Sequence, residues 1–225
     1  RRPLHEVTSV TVDTINKFTV AKKPDGAWQV TEPKQFPADA MLVSVMLTNL
    51  RNAQIVDFIK DNAVADDFEK NGLANPWLNL EINGTSVGGD RWKESIAFGT
   101  VDTRRAAARA NGEPTIIGLP REQAILLPKE AFKLRERQLW SFATNQVAGV
   151  TIQLDNKPTQ FVRLPNSTWR SADNEALDQI QSAMLEETIY RMGVLFAIGW
   201  VAEGEAAMEA TGIQLGANQL TAEVD

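Results

Sequence analysis

Val20-Ala21-Lys22-Lys23-Pro24-Asp25-Gly26-Ala27-Trp28 returns much later in the chain as Phe161-Val162-Arg163-Leu164-Pro165-Asn166-Ser167-Thr168-Trp169. Each stretch reads as a strand end, a tight turn and a returning strand opened by Trp. Proline presets φ, and Asp-Gly or Asn is favoured at the bend. The likeness extends outward. Val7-Thr8-Ser9-Val10-Thr11-Val12 matches Val147-Ala148-Gly149-Val150-Thr151-Ile152. Ala38-Asp39, with Leu42, Val43, Met46 and Leu50 behind it, matches Ala172-Asp173 with Ala176, Leu177, Ile180 and Met184. Phe68 to Leu73 matches Met208 to Ile213, and Leu78 to Ile82 matches Leu220 to Val224. The pattern predicts an α+β fold of two tandem repeats, each a small, mostly antiparallel sheet with helices packed on one face. The first covers residues 1–145, with an additional strand pair and helix; the second, shorter, covers 146–225. Trp28, Trp169, Gly72 and Gly212 mark equivalent positions. Turn, Trp, apolar face and Gly are parts for building a core.

Between these markers the elements follow from periodicity and breakers. Residues 7–12, 18–20 and 28–30 alternate as a three-stranded meander. Asp39 caps a helix running to about Leu50, whose Val43, Met46, Leu47 and Leu50 fall on one face. A short acidic helix at Val64–Lys70 ends at Asn71-Gly72, where Gly takes the left-handed C-terminal position. Leu78, Leu80 and Ile82 alternate up to Asn83-Gly84, a strong hairpin signal, and Val87–Asp90 reads as a bulge or bend. A second strand pair is expected to bracket Arg104 to Gly112, leaving those residues on a hairpin tip. Pro128–Phe142 reads as a helix with Phe132, Leu134 and Leu139 inward. Gly193–Ala202 reads as a buried strand or core segment, too short for the roughly 18–20 residues of a membrane span.

The 225 residues are 43% hydrophobic, enough for packed cores. The net charge of −6 argues against a nucleic-acid binder, which needs a basic footprint to neutralise phosphates. Absence of Cys removes disulfides, thiolate nucleophiles and Cys-based metal sites. The chain opens on Arg1 and is expected to be a fragment of a longer polypeptide.

His5 is the only histidine, and a near-terminal segment is a poor platform for a catalytic base. One His and no Cys leave too few ligands for zinc. Carboxylates at Asp66-Asp67, Glu69, Glu186-Glu187, Glu203 and Glu205 would be the raw material of glycoside hydrolysis, which needs two across a cleft. Their placement on short helices fits solvated faces and helix-dipole partners better. Val87-Gly88-Gly89-Asp90 lacks the spacing of a phosphate loop. No catalytic residue, metal or cofactor is expected. Candidate interaction residues are Arg104, Arg105 and Arg109, three guanidiniums in an acidic protein, and Trp92 between Arg91 and Lys93. Arg and aromatic side chains are favoured at interface centres.

Trp28, Pro33, the Ala38-Asp39 helix, Gly72-Leu73-Ala74-Asn75-Pro76, Phe98-Gly99 and Leu134-Arg135-Glu136-Arg137-Gln138-Leu139, in that order, resemble a bacterial family. It is known as domain of unknown function 4340. The resemblance covers about residues 7–145 well and the second copy loosely. It implies an extracytoplasmic, periplasmic segment anchored by an N-terminal transmembrane helix, often alongside ABC-type exporters and gliding-associated components. It assigns no reaction. Together with the residues, it leads to a non-enzymatic interaction or scaffold module of a membrane-associated assembly, with ABC-transporter subunits as expected protein partners. A glycan- or peptidoglycan-binding module and a carboxylate-dependent hydrolase are the alternatives, and the first requires an exposed Trp92 or Trp77.

Overall fold

The computed structural model describes residues 2–173, 175–204 and 219–224. The chain is α+β, with two mostly antiparallel sheets and few helices. It divides into two compact units, Arg1–Glu136 and Arg137–Asp225, so the boundary falls ahead of the one drawn after residue 145. Glu205, Gly212 and the Met208–Ile213 segment lie outside the described residues.

In unit 1, β1 (Val7–Asp13), β2 (Phe18–Lys22) and β3 (Trp28–Glu32) form the meander, followed by β4 (Phe36–Pro37) and α1 (Ala40–Asn52). Next come β5 (Asp57–Lys60), α2 (Ala65–Lys70), β6 (Leu78–Thr85), β7 (Arg91–Val101), β8 (Arg105–Ala110), β9 (Ile116–Pro120) and α3 (Arg121–Ile125). The nine strands lie in the order β4-β3-β2-β1-β6-β7-β8-β9-β5. Val10, Val12, Phe18, Val20, Val30, Leu78, Leu80 and Phe98 point to one face, where Val43, Met46 and Leu47 of α1 cover them. The Asp39 carboxylate accepts from Met41 N (2.8 Å) and Leu42 N (3.1 Å), which starts the helix. On the other face, α2 covers only the β8–β9 side, through Phe68, Leu73, Ala107 and Ile116. Ala106 and Ala108 face the first cluster and Ala107 the second, so β8 is buried on both sides.

Both rims of this sheet are short. β4 has two residues, one of them Pro37, and β5 has four, with a register shift between Phe58 and Lys60.

In unit 2, β10 (Val147–Leu154), β11 (Lys157–Arg163), β12 (Trp169–Ser171), α4 (Gln179–Gly193) and β13 (Gln219–Val224) follow. The sheet order β12-β11-β10-β13 has the same pairing as β3-β2-β1-β6. β1 and β6 slip register between Val7 and Ser9; β10 and β13 slip between Val147 and Gly149. The turns match too. Lys23 N donates to Ala27 O and Gly26 N to Lys23 O, while Leu164 N donates to Thr168 O and Ser167 N to Leu164 O. Gly26 (φ 85°) and Ser167 (φ 63°) both sit in the left-handed region at that bend.

Six local expectations are corrected. Asn83-Gly84 is not a turn: both lie inside β6, and the bend is at Ser86–Asp90. Gly84 is there because a Cβ would run into the Trp92 indole. Of the three arginines only Arg104 lies at a bend, between β7 and β8; Arg105 and Arg109 are in strand β8 itself, between β7 and β9. Pro128–Phe142 is not one helix: only a 3₁₀ turn at Ala131–Leu134 forms, and Leu139 is exposed. α4 is capped by Asp178 rather than Asp173, and its inward face is Leu185, Ile189 and Met192, while Ile180 (73%) and Met184 (67%) are exposed. Gly193–Ala202 is no buried strand: α4 ends at Gly193, and Phe196, Ile198 and Val201 are exposed. The β13 register also sets Leu220 opposite Ile152 as Leu80 is opposite Val12, two residues from the sequence match.

Candidate functional site

The three arginines do not form a shared basic patch. Arg105 is ion-paired with Asp57 of β5 and lies 3.5 Å from Asp102. Arg109 lies over the Phe68 ring at 4.2 Å, its Nε donates to Glu113 O (2.8 Å) and its Nη2 to Gly112 O (2.5 Å). Both tie β8 to its neighbours. Arg104 is exposed, and its backbone N–H, with that of Arg105, donates to Asp102 (2.7 and 2.8 Å). Those two N–H groups hold the Asp102 carboxyl below its ordinary value.

Trp92 is buried (9% exposed) rather than presented to solvent. Arg2 lies over its ring at 5.5 Å and its Nε1 donates to Glu6 (3.2 Å). Arg91 is exposed at the start of β7. Gly72 (φ 68°) follows Asn71 at the end of α2, and a Cβ there would press on Thr100 N at 3.0 Å. His5 is exposed in a 3₁₀ turn at Leu4–Glu6, where its carbonyl accepts from Lys22 Nζ (3.2 Å).

Trp28 and Trp169 are both buried, and each carries a cation on its face. Lys22 stands 5.3 Å from the Trp28 centroid and Arg163 stands 4.5 Å from that of Trp169. Lys22 reaches the 3₁₀ turn preceding β1; Arg163 donates to Thr144 O (2.8 Å) in the 3₁₀ turn preceding β10, and to Val147 O (2.8 Å). In unit 2 a carboxylate completes the set: Glu186 lies 2.7 Å from Arg163 and accepts from Trp169 Nε1 (2.8 Å). Sequence reasoning missed this pairing, although Lys22 and Arg163 occupy matching positions before matching tryptophans.

Several hollows open on the units. One of about 230 Å³ in unit 1 lies between Leu47, Leu50, Arg51, Ile82, Trp92 and Ile96. A wider one of about 720 Å³ runs past Asp13, Asn16, Trp77, Asn79 and Lys129. Lys129 lies over Trp77 at 4.7 Å, and the buried Trp77 Nε1 has no hydrogen-bond partner among the described residues. In unit 2, a groove of about 400 Å³ separates α4 from the sheet and is lined by Ile152, Phe161, Leu177, Met184 and Leu185. Among the described residues, no three His, Cys, Asp or Glu side chains gather as a metal site, and no helix is long and apolar enough to cross a membrane.

The family described as "Domain of unknown function (DUF4340)" has a model that matches residues 28–213. The chain belongs to the DUF4340 family. The DUF4340 match begins at Trp28 in β3 and continues past α4, so it takes in sequence from both compact units. No curated protein and no solved structure matches the chain.

Proposed function

We propose that this DUF4340 chain is a tandem pair of one β-framework module, serving as a non-enzymatic interaction or scaffold module. In this reading it lies on the extracytoplasmic side of a bacterial membrane, attached to an ABC-type transport assembly. The use made of its carboxylates supports the interaction class. Asp66 pairs with Lys70 (2.6 Å), Asp67 accepts from Val64 N (3.0 Å) at the start of α2, Glu187 pairs with Arg191 (2.8 Å), and Glu186 holds Arg163 and Trp169. These acids cap and brace elements, where a hydrolase needs two aimed across a cleft, one with a raised pKa. The carboxyls of Asp25, Glu81 and Asp102 are instead pushed down by hydrogen-bond donors.

The tandem reading is supported by the shared strand order, the matching register slips and the cation on each equivalent Trp. The location and the transporter come from the family resemblance alone. The test is cross-linking of the full-length protein in its own cells, followed by affinity purification and mass spectrometry. Enrichment of ABC-transporter subunits is the expected result, and recovery of cell-wall fragments alone, or of nothing, overturns it.

The hollow beside Trp77 favours a second reading, a glycan-binding module. There an indole edge and the polar side chains of Asp13, Asn16 and Asn79 share one surface. That reading expects peptidoglycan oligosaccharides to quench tryptophan fluorescence in the wild type and not in Trp77→Phe.

A further inference from the structure

In unit 1 the chain itself seals the slot where α1 meets the sheet. Phe36 of β4 is buried, and Leu134 is buried with it. Residues 134–136 run antiparallel beside Pro37–Asp39. Asp39 N donates to Leu134 O (2.8 Å), Glu136 N donates to Pro37 O (2.9 Å), and Ala38 bridges Arg135. The Arg135 guanidinium lies over the Phe36 ring at 5.6 Å.

Backbone pairing identifies the corresponding positions in unit 2. Ala38 N donates to Trp28 O and Leu177 N donates to Trp169 O, both at 3.0 Å, and each donor precedes the Asp that caps the next helix. Val30 pairs with Phe36 and Gln29 with Pro37; Ser171 N donates to Glu175 O (2.9 Å) and Arg170 bridges Ala176. Glu175 therefore stands where Phe36 stands, and Ser171 where Val30 stands. Two apolar side chains of the unit 1 core are replaced by polar ones, and the volume they would fill is the groove of about 400 Å³ lined by Phe161, Leu177, Met184 and Leu185.

Among the described residues no further strand lies on the edge beside this groove. Gln181 supplies the oxygen that Asp178 N needs (3.0 Å), the part Leu134 O plays for Asp39. Ser171 N and Leu177 N bond on either side of the Arg170–Ala176 bridge, so strand alternation turns the N–H and C=O of Ala176 outward. Among the described residues nothing lies beside Ala176 as residues 134–136 lie beside Pro37.

We propose that this groove binds an extended segment of a partner protein in which a branched apolar residue is followed by Arg or Lys. The segment adds beside Ala176–Leu177 as Leu134-Arg135-Glu136 adds beside Pro37–Ala38. Its apolar side chain enters among Phe161, Leu177 and Met184. Its basic side chain meets Glu175, the acidic counterpart of the Phe36 ring under Arg135. Main-chain hydrogen bonds supply affinity and the apolar slot supplies specificity, as in other strand-addition sites. The proposal rests on the tandem reading and names the partner chemistry it lacks.

The probe is a fluorescein-labelled peptide with the sequence of residues 129–136, Lys-Glu-Ala-Phe-Lys-Leu-Arg-Glu, titrated into the chain by fluorescence anisotropy. Binding is expected with a Kd on the order of 100 μM. It should weaken about tenfold when the peptide's Leu is replaced by Asp, as befits a central apolar anchor. Glu175→Phe should fill the groove, raising the melting temperature and weakening the peptide about tenfold. Met184→Glu, at an exposed groove position, provides a second block that does not touch the core. No binding to the wild type, with Glu175→Phe still stabilising, overturns the docking site and leaves the tandem reading standing. A Glu175→Phe chain that is neither stabilised nor impaired in binding overturns both. A wild-type dimer that Glu175→Phe converts to monomer makes the occupant a second copy and overturns the heterologous partner.

Discussion

Arg163 lies over Trp169 with its guanidinium 4.5 Å from the ring centroid, and Glu186 holds both side chains from α4. One cation thereby ties β11 to β12, to the turn before β10 and to the helix. The side chains of Arg163 and Glu186 are 14% and 34% exposed, so the pair is partly screened. Arg163→Ala should destabilise by about 2 kcal/mol, below the roughly 3–5 kcal/mol of a fully buried pair. The equivalent Lys22→Ala should cost only about 0.5–1 kcal/mol, since it loses a cation–π contact and an exposed hydrogen bond to His5 O, with no carboxylate partner. Urea denaturation of both variants checks the order; equal losses would contradict it.

Trp169 is fully buried and Trp28 nearly so. Trp169→Ala and Trp28→Ala should each cost about 3–5 kcal/mol through lost burial and a residual cavity. The readout is the denaturation midpoint, with circular dichroism establishing that each variant folds.

Asp39 and Asp178 start the two main helices, accepting from Met41 N and Leu42 N, and from Gln181 N (2.7 Å). Asp39→Ala and Asp178→Ala should lower stability by about 1 kcal/mol each, with Asn at either position recovering most of the loss. Thermal melts of the four variants test this.

Arg105 and Arg109 act inside the sheet, so their loss is a stability effect. Arg105→Ala and Arg109→Ala should each lower the melting temperature, while Arg104→Ala, exposed in the bend before β8, should not. Three indistinguishable melting curves would refute this division.

Glu81 is held below its ordinary value of 4.5 first by the hydrogen bond from Lys93 and then by that from Asn83. The folded state therefore binds this proton less tightly than the unfolded state does. The stability it adds is full above pH 4.5 and is lost as pH falls through the lower folded value. Urea midpoints measured from pH 7 downward should fall less steeply below that point for Glu81→Gln than for the wild type.

Much of the frame was legible because it is set by local chemistry. The Pro-Asp-Gly turn, the Asp39 cap, the stripe of Val43, Met46 and Leu47, and Gly72 after α2 are each decided within a few residues. What escaped depends on distant neighbours. Gly84 resembles a turn glycine until Trp92 lies against it from the next strand. Arg105 and Arg109 look solvated until Asp57 and Phe68 arrive from elements far away in sequence. In α4, Ile180 and Met184 make a plausible inward stripe, yet the capping box at Asp178 and Gln181 rotates Leu185 and Ile189 inward instead. The groove was invisible in sequence, because its lining, from Ile152 and Phe161 to Met184 and Leu185, is drawn together from β10, β11 and α4.

A nine-stranded sheet is a large template for further strands, and its rims decide whether it grows. Here one rim is two residues long and contains Pro37, with residues 134–136 beside it; the other is kinked by a register shift that leads into Lys60. Such rims discourage edge-to-edge stacking. Concentrated protein should therefore remain free of thioflavin-binding fibrils.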